Sequence, residues 1–200
     1  MIDTIIFDFG DVFIDLNHGK VKENFEKLGL KTWNDDLKFL NTQYEIGKIT
    51  ELQFLEGFQK YIPNADLLEI RAAWNSIIGD FPLYRLEFLQ KLSKSHKLYL
   101  LSNTDETHIS KFEHQSGLTF ARDFYSCFEK IYFSFEIGMR KPNEIIFKHL
   151  LNKHNLHPKR TLFVDDKKEN TDAAERLGIK TWNLQVGEED VVDLFDKKIL

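Results

Sequence analysis

The chain carries a single cysteine, Cys127, among its 200 residues. One thiol cannot close an internal disulfide, so a disulfide-held scaffold is excluded and a reducing, cytoplasmic setting is expected. Surplus positive charge is also absent: 27 Lys and Arg stand against 32 Asp and Glu, a net charge of −5. A chain without a basic surplus has little to attract a polyanion, so nucleic acid is not expected as a partner. Long apolar runs are missing too. The stretch from Thr4 to Phe7 is closed at once by Asp8, and nothing approaches the roughly 20 residues of a membrane span. The opening Met1-Ile2-Asp3 lacks a basic segment followed by an apolar one, so it does not read as a signal peptide. Only four prolines occur, Pro63, Pro82, Pro142 and Pro158, and they fall where segments begin or end. No repeat and no low-complexity stretch is present.

What remains is an ordinary globular composition, 42% hydrophobic and 30% charged, enough for one or two compact units with a sizeable core. Phenylalanine is frequent, with 18 copies, and reads as core packing. The segment Asp3-Thr-Ile-Ile-Phe-Asp-Phe9 suits a buried strand that stops at Gly10. From Asn17 to Phe81 the pattern is helical. Val21, Phe25 and Leu28 follow a spacing of four and three, Phe54, Phe58 and Tyr61 repeat it, and Thr50-Glu-Leu-Gln53 fits a capping box. This predicts about four helices, bounded by Gly79-Asp-Phe-Pro82. Beyond Pro82, helices and strands alternate. Strands are expected near 97–102, 131–133, 161–165 and 179–182. Helices are expected around Leu86–Leu92, 109–117, 145–154 (with Pro142 in its first turn), 171–177 and 188–195. Alternation of this kind implies a parallel sheet with right-handed crossovers. The predicted fold is α/β: a Rossmann-like, three-layer parallel sheet core over 1–15 and 82–200, with an inserted α-helical cap domain over 16–81.

In open sheets of this type ligands bind beyond the carboxyl ends of the strands. There the sequence places Asp8, then Ser102-Asn103, then Asp165-Asp166, with Lys141 ahead of a helix. Singly, each is what a turn or a helix cap also shows, and Asp105 reads as a cap. Together they suit phosphoryl transfer. An aspartate can attack phosphorus and carry it as an aspartyl-phosphate. Asp8 with Asp166, and Asp165 beside it, can hold a hard divalent cation such as magnesium. Lys141 supplies positive charge, and the Ser102 hydroxyl and the Asn103 backbone N–H can donate to a phosphate oxygen.

Those residues carry a resemblance. Phe7-Asp8-Phe9-Gly10-Asp11-Val12, Leu101-Ser102-Asn103, Lys141-Pro142 and Val164-Asp165-Asp166 resemble the four motifs of the haloacid dehalogenase superfamily with a helical cap after the first strand. The longer strings Leu101-Ser-Asn-Thr104, Gly138-Met-Arg-Lys-Pro142 and Phe163-Val-Asp-Asp-Lys-Lys-Glu-Asn170 look like bacterial phosphatases that act on α-D-glucose 1-phosphate. The resemblance implies a magnesium-dependent phosphatase of small phosphorylated metabolites. It implies Asp8 as nucleophile, with Ser102 and Lys141 holding the phosphoryl group. Asp166 would be a direct metal ligand, Asp165 would stand in or near the coordination sphere, and the carbonyl of Gly10 would complete the protein's share.

One position departs from the pattern. Most phosphatases of that superfamily carry a second aspartate two residues after the nucleophile, and Gly10 stands there. General acid catalysis typically contributes about 10²–10⁴-fold, so better leaving groups, such as an anomeric hydroxyl, should suffer least from its loss. Asp11 replaces it only if a turn brings its side chain back. In the cap region Asn17 and His18 lie at the first hinge, and Glu45, Trp33 and Trp74 are candidates to touch a sugar, the tryptophans reading first as packing. His149 and His154 lack metal-ligand spacing, so no zinc site is expected. The segment 190–198 reads as a solvated mixed-charge helix. Two alternatives stand beside the phosphatase: a phosphate-binding or interaction protein with weakened catalysis, and a 2-haloacid dehalogenase, which the retained acidic pair disfavours. No oligomeric state follows from the sequence.

Overall fold

The computed structural model describes residues 1–200. Strand β1 (Thr4–Phe7) leads into four helices, α1 (His18–Lys27), α2 (Asp35–Glu45), α3 (Glu51–Gln59) and α4 (Leu67–Asn75). There follow α5 (Leu83–Leu92), β2 (Lys97–Ser102), α6 (Glu106–Ser116), α7 (Leu118–Tyr125), β3 (Lys130–Phe133), α8 (Ser134–Ile137) and α9 (Glu144–Lys153). The chain closes with β4 (Thr161–Asp165), α10 (Lys168–Glu175), β5 (Lys180–Asn183) and a 3₁₀ segment, Val191–Phe195. The strands form one sheet of order β3-β2-β1-β4-β5, and every pairing is parallel, with Ile5 opposite Leu98 on one side and Leu162 on the other.

Both faces of the sheet are covered, which is why its central strands are largely apolar rather than alternating. Ile5, Phe7, Leu98, Leu100, Leu162 and Val164 pack one face against α5, α6, α7 and the C-terminal 3₁₀ segment. Ile6, Tyr99, Leu101, Tyr132 and Phe163 pack the other against α9 and α10. Successive residues of each strand thus serve opposite layers. The α/β three-layer core read from the sequence is the fold observed.

Helices α1–α4 gather around their own cluster, in which Phe25, Phe54 and Phe58 stack and cross with Trp74. The predicted capping box at Thr50 is present and starts α3. Two short crossing segments connect this cluster to the sheet. Asn17 N–H donates to Ile77 O at 2.8 Å, and Asp15 N–H to Asp80 O at 2.9 Å. Gly79 sits in this crossing because a Cβ there would stand 2.5 Å from Asp15 O.

Two expectations are corrected and one helix is added. The helix expected over 188–195 is a 3₁₀ segment, and it is not a solvated face. Val191 and Leu194 are buried, and Asp190 accepts from Arg85 at 2.9 Å. Pro142 does not enter α9, since Asn143 behind it caps the helix through Ile145 N–H at 3.0 Å. Helix α7 adds an element between the helix expected to end near Gly117 and the strand at 131–133, packing Phe120, Ala121, Phe124 and Tyr125 on the core cluster.

Candidate active site

The chain leaves β1 toward β2 on one side and returns past it to β4 on the other, so β1 and β4 flank the switch point of the sheet. Asp8 follows β1 directly, and its N–H still donates to Val164 O at 2.9 Å. Asp165 ends β4 and Asp166 follows it. The parallel register therefore brings three carboxylates together, with candidate ligand oxygens all within 4.8 Å of one another.

Lys141 enters this group from the loop before α9. Its side chain is fully buried, with Nζ 2.8 Å from Asp8 Oδ1 and 2.7 Å from Asp165 Oδ2. Burial alone would lower its pKa, yet Asp165 and Asp8 hold it above the ordinary lysine value. The loop is clamped by Asn103, whose side chain donates to Lys141 O and accepts from Lys141 N–H, both at 2.9 Å. Asp165 has no oxygen to spare. It takes Lys141, the Asn170 amide at 2.9 and 3.0 Å, and Lys167 N–H at 2.8 Å. Asp166 makes no such bonds. Burial and then neighbouring Asp165 raise its pKa. Asp8 is pushed up to about 7, first by burial and then by Asp165 against the pull of Lys141. In this buried site one ammonium offsets only one of three carboxylates, which is why Asp8 and Asp166 hold their protons more tightly than free acids when no further cation is near. That donor set fits a hard divalent cation, with Asp166 and the Asp8 oxygen not held by Lys141 open to it and Asp165 turned to positioning Lys141.

Ser102 ends β2, is buried, and its hydroxyl is bonded to no other group in the chain. With Gly10, Asn103 and Thr104 it lines a cavity of about 160 Å³ that reaches the cap residues His18, Asn41 and Glu45. Gly10 has little room for a side chain: a Cβ there would meet Leu16 Cδ1 at 2.7 Å. Asp11 does lie in a turn, with φ 56°. Its carboxylate, however, is held on the hinge, accepting from Leu16 N–H at 2.9 Å and lying 3.2 Å from His18 Nε2.

The cap is fastened over this edge by groups that sequence reading took for something simpler. Asp105 does cap α6, through His108 N–H at 2.9 Å. It is also buried and accepts from Trp74 Nε1 on α4 at 3.0 Å, while His108 Nδ1 lies 3.0 Å away. The His108 ring stacks on Trp74 with centroids 4.8 Å apart. Trp33 and Trp74 pack in the cap, as expected, with parallel rings 6.2 Å apart. His154 Nε2 pairs with the Tyr132 hydroxyl at 2.7 Å, and neither it nor His149 belongs to a group with metal-ligand geometry. Asn41, Asn170 and the clasp of Asp105 with Trp74 were missed. The motif string ending at Asn170 was the one available signal; the others depend on contacts between distant segments.

The family model described as haloacid dehalogenase-like hydrolase matches residues 2–178. A D-ribitol-5-phosphate phosphatase of Bacteroides thetaiotaomicron is 30% identical over 193 residues, covering 94% of each chain. A haloacid dehalogenase family enzyme of the same organism, solved in complex with magnesium and inorganic phosphate, has 36% identity and a TM-score of 0.83, over 94% of this chain and 97% of that one. A predicted hydrolase of this kind from Porphyromonas gingivalis has 28% identity and a TM-score of 0.83, over 98% and 97% of the two chains.

Proposed function

The chain belongs to the haloacid dehalogenase-like hydrolases, and we propose that within them it is a magnesium-dependent phosphatase of small sugar or polyol phosphates. The observation that carries this reading is the buried Lys141 ammonium between Asp8 and Asp165, with Asp166 left free beside them. A carboxylate that attacks carbon needs no cation beside it, whereas this donor set fits one.

In this reading Asp8 attacks phosphorus. The new O–P bond forms as the bond to the leaving oxygen breaks, and the resulting aspartyl-phosphate is then hydrolysed by water. Lys141 offsets charge on the nucleophile and on the phosphoryl oxygens, and the Ser102 hydroxyl and Asn103 N–H donate to those oxygens. Asp165, with Asn170 behind it, keeps the ammonium aimed. Magnesium, held by Asp8, Asp166 and the Gly10 carbonyl, would supply charge relief for the phosphate dianion.

Phosphate release from a substrate panel tests the reading, with and without magnesium and alongside Asp8→Asn. Magnesium-dependent release that disappears in the variant is expected; no release from any phosphoester would overturn it. The panel sets α-D-glucose 1-phosphate beside glucose 6-phosphate and D-ribitol 5-phosphate. Because Gly10 offers no proton, the anomeric phosphate should turn over fastest; the reverse order refutes the leaving-group reasoning and leaves the phosphatase intact.

A further inference from the structure

Four buried side-chain polar atoms have no hydrogen-bond partner in the chain, and three of them belong to one cluster: Asn41 Oδ1, Glu45 Oε2 and Arg140 Nε. Such atoms are uncommon in folded proteins, because an unpaired buried acceptor costs roughly 1–3 kcal/mol. Glu45 Oε2 and Arg140 Nε belong to the two sides of one ion pair, so Asn41 Oδ1 is the acceptor left with no partner of any kind, and it points to a ligand. Asn41 and Glu45 stand one turn apart on α2, and both line the cavity that Ser102 and Asn103 enter from the sheet edge.

The geometry points to a hydroxyl-recognition subsite formed by Asn41 and Glu45, which takes the polyhydroxyl chain of the substrate while its phosphate lies at Ser102 and Lys141. This rests on the phosphatase reading and names the leaving group's chemistry. The Asn41 amide is oriented by its own contact. Nδ2 donates to Glu45 Oε1 at 3.2 Å, and a flipped amide would set two oxygens against each other. Oδ1 is thereby left as a free acceptor. Glu45 is braced from the core by Arg140, whose Nη2 lies 2.9 Å from Oε2, off the line that a hydrogen bond requires. That ion pair fixes the carboxylate and still leaves lone pairs for a further donor.

Two acceptors at this end select donors, and the Glu45 carboxylate disfavours a second phosphate or a carboxylate. An apolar leaving group would leave Asn41 Oδ1 unpaired. A hydroxyl satisfies it, and two acceptors one helical turn apart suit neighbouring hydroxyls of one carbon chain. Arg140 adjoins Lys141 in sequence, so the brace on the subsite and the phosphate ammonium share one loop.

The test compares kcat/KM for D-ribitol 5-phosphate and α-D-glucose 1-phosphate with that for p-nitrophenyl phosphate, which brings no hydroxyls. In Asn41→Ala the ratio of polyhydroxyl ester to p-nitrophenyl ester is expected to fall about tenfold or more, as one lost hydrogen bond implies. Asn41→Ser, which restores a short hydroxyl, should recover part of it. A ratio within twofold of wild type overturns the subsite. Absence of turnover on every ester is a failure of the phosphatase reading instead. The subsite is then decided by titration calorimetry with magnesium on Asp8→Asn. D-ribitol 5-phosphate should bind more tightly than inorganic phosphate, and adding Asn41→Ala should remove about tenfold of that preference; an unchanged preference overturns the subsite.

Discussion

Replacing Asp8 by asparagine should abolish phosphate release and, with magnesium chelated, make the protein more stable at neutral pH. The side chain is nearly isosteric, so the change is one of charge. Asp8 shares its surroundings with Asp165 and Asp166, and its pKa rises from 3.8 to about 7. A raised carboxyl pKa means that the folded chain binds the proton more tightly than the unfolded chain. Ionised Asp8 therefore costs stability. That cost is absent below about pH 3.8 and grows as pH rises toward 7. At about 1.4 kcal/mol per pH unit, the full cost is about 4 kcal/mol near pH 7 and only about 1 kcal/mol at pH 4.5. Asp8→Asn escapes it, while Lys141 keeps its bond to Asp165. Urea unfolding in EDTA should show the variant more stable by about 2–4 kcal/mol at pH 7, with a gap under about 1 kcal/mol at pH 4.5. Magnesium should narrow the neutral-pH gap, because only the wild type keeps both Asp8 and Asp166 as carboxylate ligands. A variant equally or less stable than wild type at pH 7 in EDTA would refute the reasoning.

Two further outcomes are expected. Lys141→Met removes the cation between two buried carboxylates. It should eliminate phosphate release and cost about 3–5 kcal/mol in urea unfolding at pH 7, with a smaller loss at pH 5 as the carboxylates take up protons; a variant as stable as wild type at pH 7 would argue against the charge assignment. His108→Gln tests the clasp between cap and sheet. Burial lowers the His108 pKa but Asp105 more than reverses this, so the net change is upward. Its stabilising contribution is therefore fully present below pH 6.5 and fades as pH rises through the folded value. Thermal melts of the variant and wild type should differ most at pH 6 and converge toward pH 9; a constant gap would mean that the charge of His108 plays no part.

Much of the core was legible because its central strands are short apolar runs, two of which, β1 and β4, lead straight into acids. Phe7-Asp8 and Val164-Asp165-Asp166 mark both a strand end and the site, because polar groups gathered at one sheet edge are harder to account for as separate turns and caps. The helical segment was legible for a different reason: Val21, Phe25 and Leu28 declare an amphipathic face through spacing alone. The 3₁₀ character of Val191–Phe195 was not, because five residues carry too few buried positions for a period to appear. Asp105 shows the limit of local reading. Its role as a cap was visible from its place before a helix, while its bond to Trp74, 31 residues away, was not.

By itself, then, the order of residues determined the layer architecture, the three polar strand-end motifs with Lys141 ahead of a helix, and the missing side chain at position 10. Each depends on neighbours in sequence: alternation along a strand, spacing along a helix, an acid at a strand's end. Only tertiary structure decided how the acids divide their work. Asp165 is satisfied by Lys141, Asn170 and Lys167 N–H, so Asp166 is the one left free, although the two are adjacent and chemically identical in the sequence. Tertiary structure likewise turned Asp11 to the hinge and set Asn41 and Glu45 in the same cavity as Ser102. The reason is physical. The state of a buried polar group is set by which donors and charges surround it in space, and at this site those partners come from segments dozens of residues apart.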